Sequence, residues 1–261
     1  MNNMIKVTIW NEFVQEQLDS KRFPFLSDWK CSPEDWERIA ANARRIRAIH
    51  PEGIQGTLKA LVEEDADVQV RHIATLEMEQ CGLSEEVLQD TDVLLWWGHI
   101  AHQHVPDEVA ARVCDHVRRG MGLIVLHSGH LCKPMRQLLG TSCTLRWREG
   151  DKEKLWCVNP GHPIARNVPE CVELGEEEMY GEFFDIPTPD ELVFLGSFGG
   201  GEVFRSGCLW NRGYGKFFYF QPGHETCPSY HNEHIRTVIR NAVHYVARPG
   251  FRAAPLDCKA V

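Results

Sequence analysis

Short apolar runs alternate with amphipathic helical patterns through the first half of the chain. Each apolar run is about as long as a strand, and in the segments between them apolar residues recur every three or four positions. Some runs are apolar throughout, which is typical of parallel strands covered on both faces. The predicted strands span residues 5–10, 68–73, 92–97 and 122–127.

The segments between these runs carry helix start and stop signals. Ser32 and Pro33 supply an N-cap and a first-turn proline, which predicts a helix to about residue 49. Pro106 opens a further helical pattern that Gly120 closes, and another helix stops at Gly140. Helices are also predicted over residues 56–64 and 232–246. Alternating strands and helices predict a parallel sheet with helices on both faces.

The second half has a different pattern. Residues 141–215 contain Pro- and Gly-rich turns and short strand-like runs such as 192–198, which predict an antiparallel extension of the sheet. Residues 216–220 then form a strongly apolar strand. The chain is therefore predicted to be a three-layer α/β/α protein with a mostly parallel sheet, in which residues 1–250 form one domain and residues 251–261 a tail.

Composition excludes several classes of function. A net charge of −9 provides no basic surface for a phosphate backbone, so a nucleic-acid partner is not expected. No run approaches the roughly 20 apolar residues of a membrane span, and the N-terminus does not resemble a signal peptide. Ten cysteines without a Cys-x-x-Cys pair are expected to be reduced thiols, which favours a cytoplasmic location. The apolar content is compatible with a homo-oligomer.

Chemistry is expected at the carboxyl ends of the parallel strands, where open α/β sheets bind ligands. Polar residues that suit catalysis or binding follow four of the predicted strands, whereas the strands at 68–73 and 192–198 end without them. These polar residues are Asn11 and Glu12, then His99 and His102, then His127, Ser128 and His130, and finally His224.

Roles can be suggested for these residues and a few others. His99, His127 and His224 are candidate ligands of zinc or another divalent ion. Side chains alternate along a strand, so Glu178, Tyr180 and Glu182 would share one face if their segment is extended. The indole of Trp97 could cover one face of a sugar. Substrate binding is assigned to Asn11, Glu12, Trp97, His102, His130 and Glu178.

Simpler structural explanations compete with these roles. Ser128 could cap the following helix, and Asn11 and Glu12 could hydrogen-bond a loop. His127 could be a satisfied core histidine, and the acidic run 176–178 could be a solvated segment.

Five motifs together resemble the trehalose-utilisation, ThuA-like family. The resemblance covers about residues 4–248 and implies a flavodoxin-like core related to the class I glutamine amidotransferases. It also implies a role in bacterial disaccharide metabolism, close to enzymes that handle keto-sugar derivatives. The motifs are Val-Thr-Ile-Trp-Asn-Glu at 7–12, Trp-Trp-Gly-His at 96–99, Leu-His-Ser-Gly-His at 126–130, Glu-Met-Tyr-Gly-Glu at 178–182 and Phe-Gln-Pro-Gly-His-Glu at 220–225.

The amidotransferases place their nucleophilic cysteine in a strained Gly-x-Cys-x-Gly elbow, and this chain departs from that pattern. The nucleophile position is predicted to hold Ser128 or Gly129, and both elbow glycines are predicted to be missing. Glutaminase activity is therefore not expected. Glu225 is not expected to orient His224, because adjacent residues of an extended chain point to opposite faces.

Three functions remain open on the sequence. The first is a metal-assisted enzyme that acts on a small sugar or keto-sugar derivative. The second is a metal-free hydrolase with Ser128 as nucleophile and His224 as base. The third is a non-catalytic sugar-binding or assembly module. The catalytic candidates across these functions are His224, Glu182, Ser128 and Tyr180.

Overall fold

The computed structural model of the protein describes residues 4–17 and 32–254. Within them, strands β1–β9 form one mixed sheet in the order β2-β1-β3-β4-β9-β8-β7-β5-β6. The strands are β1 (Ile5–Asn11), β2 (Val68–Thr75), β3 (Val93–Trp97), β4 (Gly122–Leu126), β5 (Arg146–Cys157), β6 (Cys171–Gly181), β7 (Glu191–Phe198), β8 (Val203–Arg212) and β9 (Gly215–Phe220).

Helices lie between the parallel strands and after β9. The capping box predicted at the first of them is present, because Ser32 Oγ accepts the Asp35 N–H and the Asp35 carboxylate accepts the Ser32 N–H. Gly140, in the left-handed region at φ +70°, ends another helix as predicted. The helices are α1 (Pro33–Ile49), α2 (Gly53–Val62), α3 (Glu85–Gln89), α4 (Asp107–Arg118), α5 (Lys133–Leu139) and α6 (Glu233–Val246).

The parallel half of the sheet is buried on both faces. β3 and β4 are buried at every position, which explains why their sequences lack polar alternation. On one face, Leu95, Ile124 and Phe218 pack with residues of α2 and α6. On the other face, Leu94 and Leu123 pack with residues of α4 and α5. These two cores confirm the predicted three-layer α/β arrangement.

The predicted antiparallel extension is also present. β8 pairs with β9, β7 with β8, β5 with β7 and β6 with β5, all antiparallel. Four antiparallel strands therefore continue the sheet beyond β9, and β6 is its outer strand. In this half, the carboxyl end of β6 lies beside the carboxyl end of β4. The contact between the His127 ring after β4 and Glu178 on β6 shows this proximity.

Two helices differ from the predictions. α2 begins at Gly53 rather than at residue 56, and the short α3 was not predicted. Part of the predicted tail packs on the domain, since Ala253 N–H donates to Arg119 O and the Phe251 ring lies against Gly120. Residues 1–3 and the tail segment 255–261 lie outside the described residues. Over the described ranges, no helix is long and apolar enough to cross a bilayer.

Candidate functional site

The histidines predicted at the strand ends meet at one edge of the sheet. The rings of His99, after β3, and His127, after β4, are 6.2 Å apart between centroids. The ring of His224, after β9, lies 5.4 Å from His99 and 5.3 Å from His127. Glu178 near the end of β6 completes the group, with its Oε2 3.0 Å from His127 Nε2.

Three of these side chains lie close enough together that they could hold a metal ion. One ligand atom each from His99, Glu178 and His224 lies within 4.8 Å of the other two. Two imidazole nitrogens and a carboxylate oxygen form a donor set that catalytic zinc sites use with a further position open. The predicted third histidine ligand, His127, is replaced in this trio by Glu178. We name the trio the His99–Glu178–His224 cluster.

Glu225 orients His99 from behind. Its Oε2 lies 2.9 Å from His99 Nδ1, which leaves Nε2 of His99 to face the cluster. Burial opposes the charged forms of both groups, but their mutual attraction prevails. It raises the pKa of His99 to about 9 and holds the pKa of Glu225 at about 2. A carboxylate behind a ligating histidine is a usual partner at metal sites.

Glu225 also lies near His224, and this corrects the expectation that it would point away. Its Oε2 is 3.5 Å from His224 Nε2. Residues 221–224 are not an extended strand, because Gly223 adopts φ +127° and turns the chain. Only glycine fits there, since a Cβ would lie 2.2 Å from the Tyr230 ring. The Pro-Gly turn predicted to aim the following side chains is present.

His127 connects the cluster to the sheet. Its Nδ1 donates to the carbonyl of Gln221 at 2.7 Å, and its Nε2 faces Glu178 Oε2. Burial lowers the pKa of His127, but the hydrogen bond and charge of Glu178 outweigh it and raise that pKa. The Tyr180 ring stacks on His127 with centroids 4.9 Å apart, and its hydroxyl lies 3.3 Å from Nε2. His127 thus orients the Glu178 carboxylate.

The strained residue after β4 is His127 and not Ser128. His127 has φ +48°, a left-handed conformation that is rare for residues other than glycine. By this geometry His127 occupies the elbow position, which corrects the assignment to Ser128 or Gly129. Gly129 then stands where the second elbow glycine would be, and a Cβ there would lie 2.7 Å from Val125 Cγ1. One of the two elbow glycines is therefore present.

Ser128 is not arranged as a nucleophile. Its Oγ is buried and makes no hydrogen bond to a base among the described residues. His224, its predicted partner, has Nδ1 2.9 Å from Thr226 Oγ1 instead. Burial lowers the pKa of His224, so the ring tends to be neutral. Ser128 and His224 therefore lie at the same sheet edge but are not hydrogen-bonded to each other.

Asn11, Glu12 and Trp97 make structural contacts near the site. Glu12 accepts backbone N–H groups from His99, Ile100 and Ala101, so it holds the loop that carries His99. Asn11 Nδ2 donates to Glu16 and Gln55. Trp97 is 1% exposed and donates its indole N–H to Gly223 O. A buried ring cannot cover a sugar, so the stacking role predicted for Trp97 does not fit the structure.

Glu182 lies away from the cluster. β6 ends at Gly181, and the Glu182 carboxylate forms a bidentate pair with the Arg205 guanidinium at 2.8 and 2.9 Å. Burial opposes ionisation, but Arg205 lowers the pKa of Glu182. Glu178 and Tyr180 do share one face as predicted, because both face His127. Glu182, the third residue predicted on that face, instead forms an ion pair with Arg205.

The two remaining predicted binding residues are neutral buried histidines. Burial lowers the pKa of His130 to about 4 and that of His102 to about 3. His130 Nδ1 donates to Cys143 O at 2.6 Å, and its ring edge lies against the Tyr180 ring. His130 lines a cavity beside the cluster, whereas His102 packs under Gly98 behind it.

Two cavities flank Glu178. The larger has a volume of about 290 Å³ and lies on the side of His99, Tyr180 and His130. The smaller, about 140 Å³, lies on the side of His224 and Arg45. A ligand that reaches the His99–Glu178–His224 cluster therefore has room on both sides of the carboxylate.

Glu177 is a residue of this site that the sequence did not identify, and Glu225 was named only as a residue not expected to orient His224. Glu177 belongs to the run expected to be solvated, yet it is fully buried. Its carboxylate accepts the backbone N–H groups of Gly223 and His224 and the hydroxyl of Ser229. It thereby fixes the turn that carries His224. The one available signal was its position next to Glu178, on the opposite face of the strand.

Fold and site together define an α/β protein with a histidine- and carboxylate-rich site at the carboxyl edge of its sheet. The sequence model of the ThuA family, described as trehalose utilisation, matches residues 38–246. The chain belongs to the ThuA family. No curated protein matches it.

Solved structures of low sequence identity share the fold. A ThuA-like protein from Parabacteroides merdae is 11% identical, with a TM-score of 0.62 over 97% of this chain and 93% of that one. One from Bacteroides uniformis is 14% identical, with a TM-score of 0.57 over 94% and 91%. A cytoplasmic protein from Salmonella typhimurium is 14% identical, with a TM-score of 0.54 over 74% and 86%.

Proposed function

We propose that the protein is a metal-assisted enzyme acting on a small sugar derivative, with zinc or another divalent ion held by His99, Glu178 and His224. The observation that carries this proposal is the convergence of the three ligand atoms within 4.8 Å of one another. Each comes from a different element, so a local packing preference does not explain their meeting. Two imidazoles and one carboxylate suit zinc, and also other first-row divalent ions.

Residues around the cluster fit this role. Glu225 accepts from His99 Nδ1, and His127 contacts the Glu178 carboxylate, so both candidate ligands are oriented by partners. A bound divalent ion supplies Lewis-acid chemistry, polarising a carbonyl group or lowering the pKa of water. Tyr180 lines the adjacent cavity with its hydroxyl 3.3 Å from His127 Nε2, and we assign to it the orientation of a substrate hydroxyl.

A sugar derivative is proposed as the substrate for two reasons. The family description refers to trehalose utilisation. The 290 Å³ cavity beside the cluster also combines apolar side chains with polar groups of Ser128, His130 and Tyr180, as a site for a polyhydroxylated ring requires.

The metal-free hydrolase is less well supported, because Ser128 Oγ has no base among its described contacts. A non-catalytic sugar-binding module would not need the carboxylate partners behind His99 and His127.

A zinc titration of the purified, metal-stripped protein tests the proposal. We expect one zinc ion per chain, and a loss of affinity of at least about 100-fold in His224→Ala and in Glu178→Gln, since each removes a direct ligand. His72→Ala is the matched control. His72 contacts Asp90, which also pairs with Lys6 and Arg71, so this cationic group should not hold a metal. Substoichiometric zinc in the wild type, or an equal loss in His72→Ala, would overturn the proposal.

A cytoplasmic location is proposed as well. The eight cysteines of the described residues are free thiols, and oxidising compartments favour disulfides. One structural neighbour is itself described as a cytoplasmic protein. Mass measurement of the protein from gentle lysates, with and without reductant, should show the same reduced species.

A further inference from the structure

Trp147 is a large aromatic residue that the fold leaves exposed. Its side chain is 62% exposed, whereas Trp10, Trp96, Trp97 and Trp210 are fully buried. Within the described part of the chain, its indole N–H makes no hydrogen bond and its ring stacks on no other ring. Tryptophan is enriched at binding interfaces, because its ring is apolar and its N–H is polar.

The position of Trp147 directs this ring to the candidate site. Trp147 on β5 pairs directly with Tyr180 on β6. Residues opposite each other in antiparallel strands place their side chains on the same face. Tyr180 contacts His127, so the indole lies on the face that carries the site. Both residues line the 290 Å³ cavity, together with His99 and Glu178 of the His99–Glu178–His224 cluster.

The strand that carries Trp147 is anchored on both sides of it. Arg146 donates from Nε and Nη2 to the carbonyl of Glu182, at 3.1 and 2.5 Å. Arg148 donates from Nη1 to Glu202 Oε1 at 2.7 Å. Trp147 itself lies in the paired part of β5, opposite Tyr180, so its backbone belongs to the sheet and not to a loop.

The cavity combines the surfaces that a sugar ring presents. Ile100, Leu131 and Leu145 add apolar area next to the indole. Ser128, His130 and Tyr180 also line the cavity and carry polar atoms, and Ser128 Oγ is buried without a hydrogen-bond partner among the described residues. A pyranose has an apolar C–H face and polar hydroxyl edges. The volume is at the lower end of small-ligand sites, roughly 300–1,000 Å³, which suits one ring.

We propose that Trp147 is the stacking platform of a subsite for a single pyranose ring, which it places beside the His99–Glu178–His224 cluster. This inference rests on the proposed function and identifies the residue that recognises the sugar. The stacking role predicted for Trp97 on β3 is therefore assigned to Trp147 on β5.

The test measures binding of D-glucose, methyl α-D-glucopyranoside and trehalose to the zinc-treated full chain by calorimetry and saturation-transfer NMR. We expect at least one of them to bind. Its dissociation constant should rise about tenfold or more in Trp147→Ala and stay within about threefold in Trp147→Phe, which keeps an aromatic face.

Trp156→Ala is the matched control, because Trp156 lies on the same strand, is 39% exposed and donates its indole N–H to Ser197 Oγ. It should bind the sugar as the wild type does. Wild-type affinity in Trp147→Ala, an equal loss in Trp156→Ala, or failure of all three sugars to bind would overturn the inference. Binding of phenol in place of the sugars would also overturn it and assign the cavity to aromatic ligands.

Zinc binding separates this inference from the proposed function. If the wild type binds no zinc but binds a sugar through Trp147, the proposed function fails and the inference stands. If zinc binds normally but Trp147→Ala leaves sugar affinity unchanged, the inference alone fails. A normal zinc load in Trp147→Ala shows that this variant is folded.

Discussion

At the scale of single residues, the site depends on buried ion pairs that orient the candidate ligands. His99 with Glu225 and His127 with Glu178 are each a histidine held by a carboxylate, with contacts of 2.9 and 3.0 Å. Charges buried in this way destabilise a fold unless they are paired and hydrogen-bonded. Their presence at one sheet edge indicates a function beyond packing.

Glu225→Gln tests the orienting role. The amide keeps the shape of the side chain but removes the negative charge behind His99. We expect the zinc dissociation constant to rise about 10- to 100-fold, as for other outer partners of metal ligands. A competition titration with a chromophoric chelator measures this. Glu233→Gln, at an exposed residue of α6, should leave the constant unchanged; an unaltered constant in Glu225→Gln would refute the orienting role.

Ser128 distinguishes the metal-assisted account from the serine hydrolase. Its Oγ has no base among its described contacts, and an isolated hydroxyl is a weak nucleophile. We expect a fluorophosphonate probe to leave Ser128 unmodified under conditions that label a control serine hydrolase completely. Peptide mass spectrometry provides the readout, and stoichiometric phosphonylation at Ser128 would favour the metal-free mechanism.

Residue types and strand ends were enough to predict His99, His127 and His224 at one site, and side-chain alternation added Glu178 and Tyr180. They were not enough to rank individual side chains. Trp97 was predicted to contact a sugar and Trp147 was not, because only strand pairing shows which indole is buried and which is exposed.

At the scale of elements, the carboxyl end of β6 fixes the turn after β9. Glu177 accepts hydrogen bonds from the N–H groups of Gly223 and His224 at 2.9 and 3.1 Å, and from Ser229 Oγ. Glu178, its neighbour, faces the cluster instead. Two adjacent carboxylates on opposite faces of one strand thus hold the turn and contribute to the site.

Glu177→Ala leaves several buried donors without an acceptor. We expect the free energy of unfolding to fall by at least about 3 kcal/mol, at roughly 1–3 kcal/mol for each of the three unsatisfied donors on Gly223, His224 and Ser229. Urea denaturation followed by circular dichroism measures the loss. Glu176→Ala is the adjacent control: it breaks an exposed pair with Arg45 and should cost less than about 1 kcal/mol. Equal losses in the two variants would contradict the role of Glu177.

The order of elements was predictable where the apolar pattern was strong. The buried runs of β1, β3, β4 and β9 were predicted as strands, because a short, mostly apolar segment of this length is typical of a buried strand. The run that contains Glu177 reads as solvated, since sequence alone does not show that the β9 turn lies above it. Whether this run is solvated or buried depends on contacts between β6 and the turn after β9, which are far apart in the chain.

At the scale of the whole molecule, neutral buried histidines make stability depend on pH. Burial lowers the pKa of His50 to about 4, and its Nδ1 lies 2.9 Å from Thr57 Oγ1. The unfolded chain binds a proton at this residue near pH 6.5, whereas the folded chain does not until about pH 4. Its contribution is therefore fully present above pH 6.5 and is lost as the pH falls towards 4.

We expect this residue alone to reduce the free energy of unfolding by about 2 kcal/mol between pH 7 and pH 5. His50→Gln removes the titrating group, so the variant should lose about 2 kcal/mol less than the wild type over the same interval. Urea unfolding at both pH values gives the comparison. His234→Gln, at a partly exposed position of α6, is the control and should behave as the wild type. Identical pH dependence in His50→Gln and the wild type would contradict the assignment.

We propose that this ThuA-family fold gathers two histidines and a glutamate into a divalent-metal site. X-ray absorption at the zinc edge, on protein loaded with one equivalent of zinc, tests it most directly. The account predicts two imidazole nitrogens and a carboxylate oxygen at about 2.0–2.2 Å, and the loss of one imidazole in His224→Ala. Sulfur at about 2.3 Å, or a spectrum that His224→Ala leaves unchanged, would contradict it.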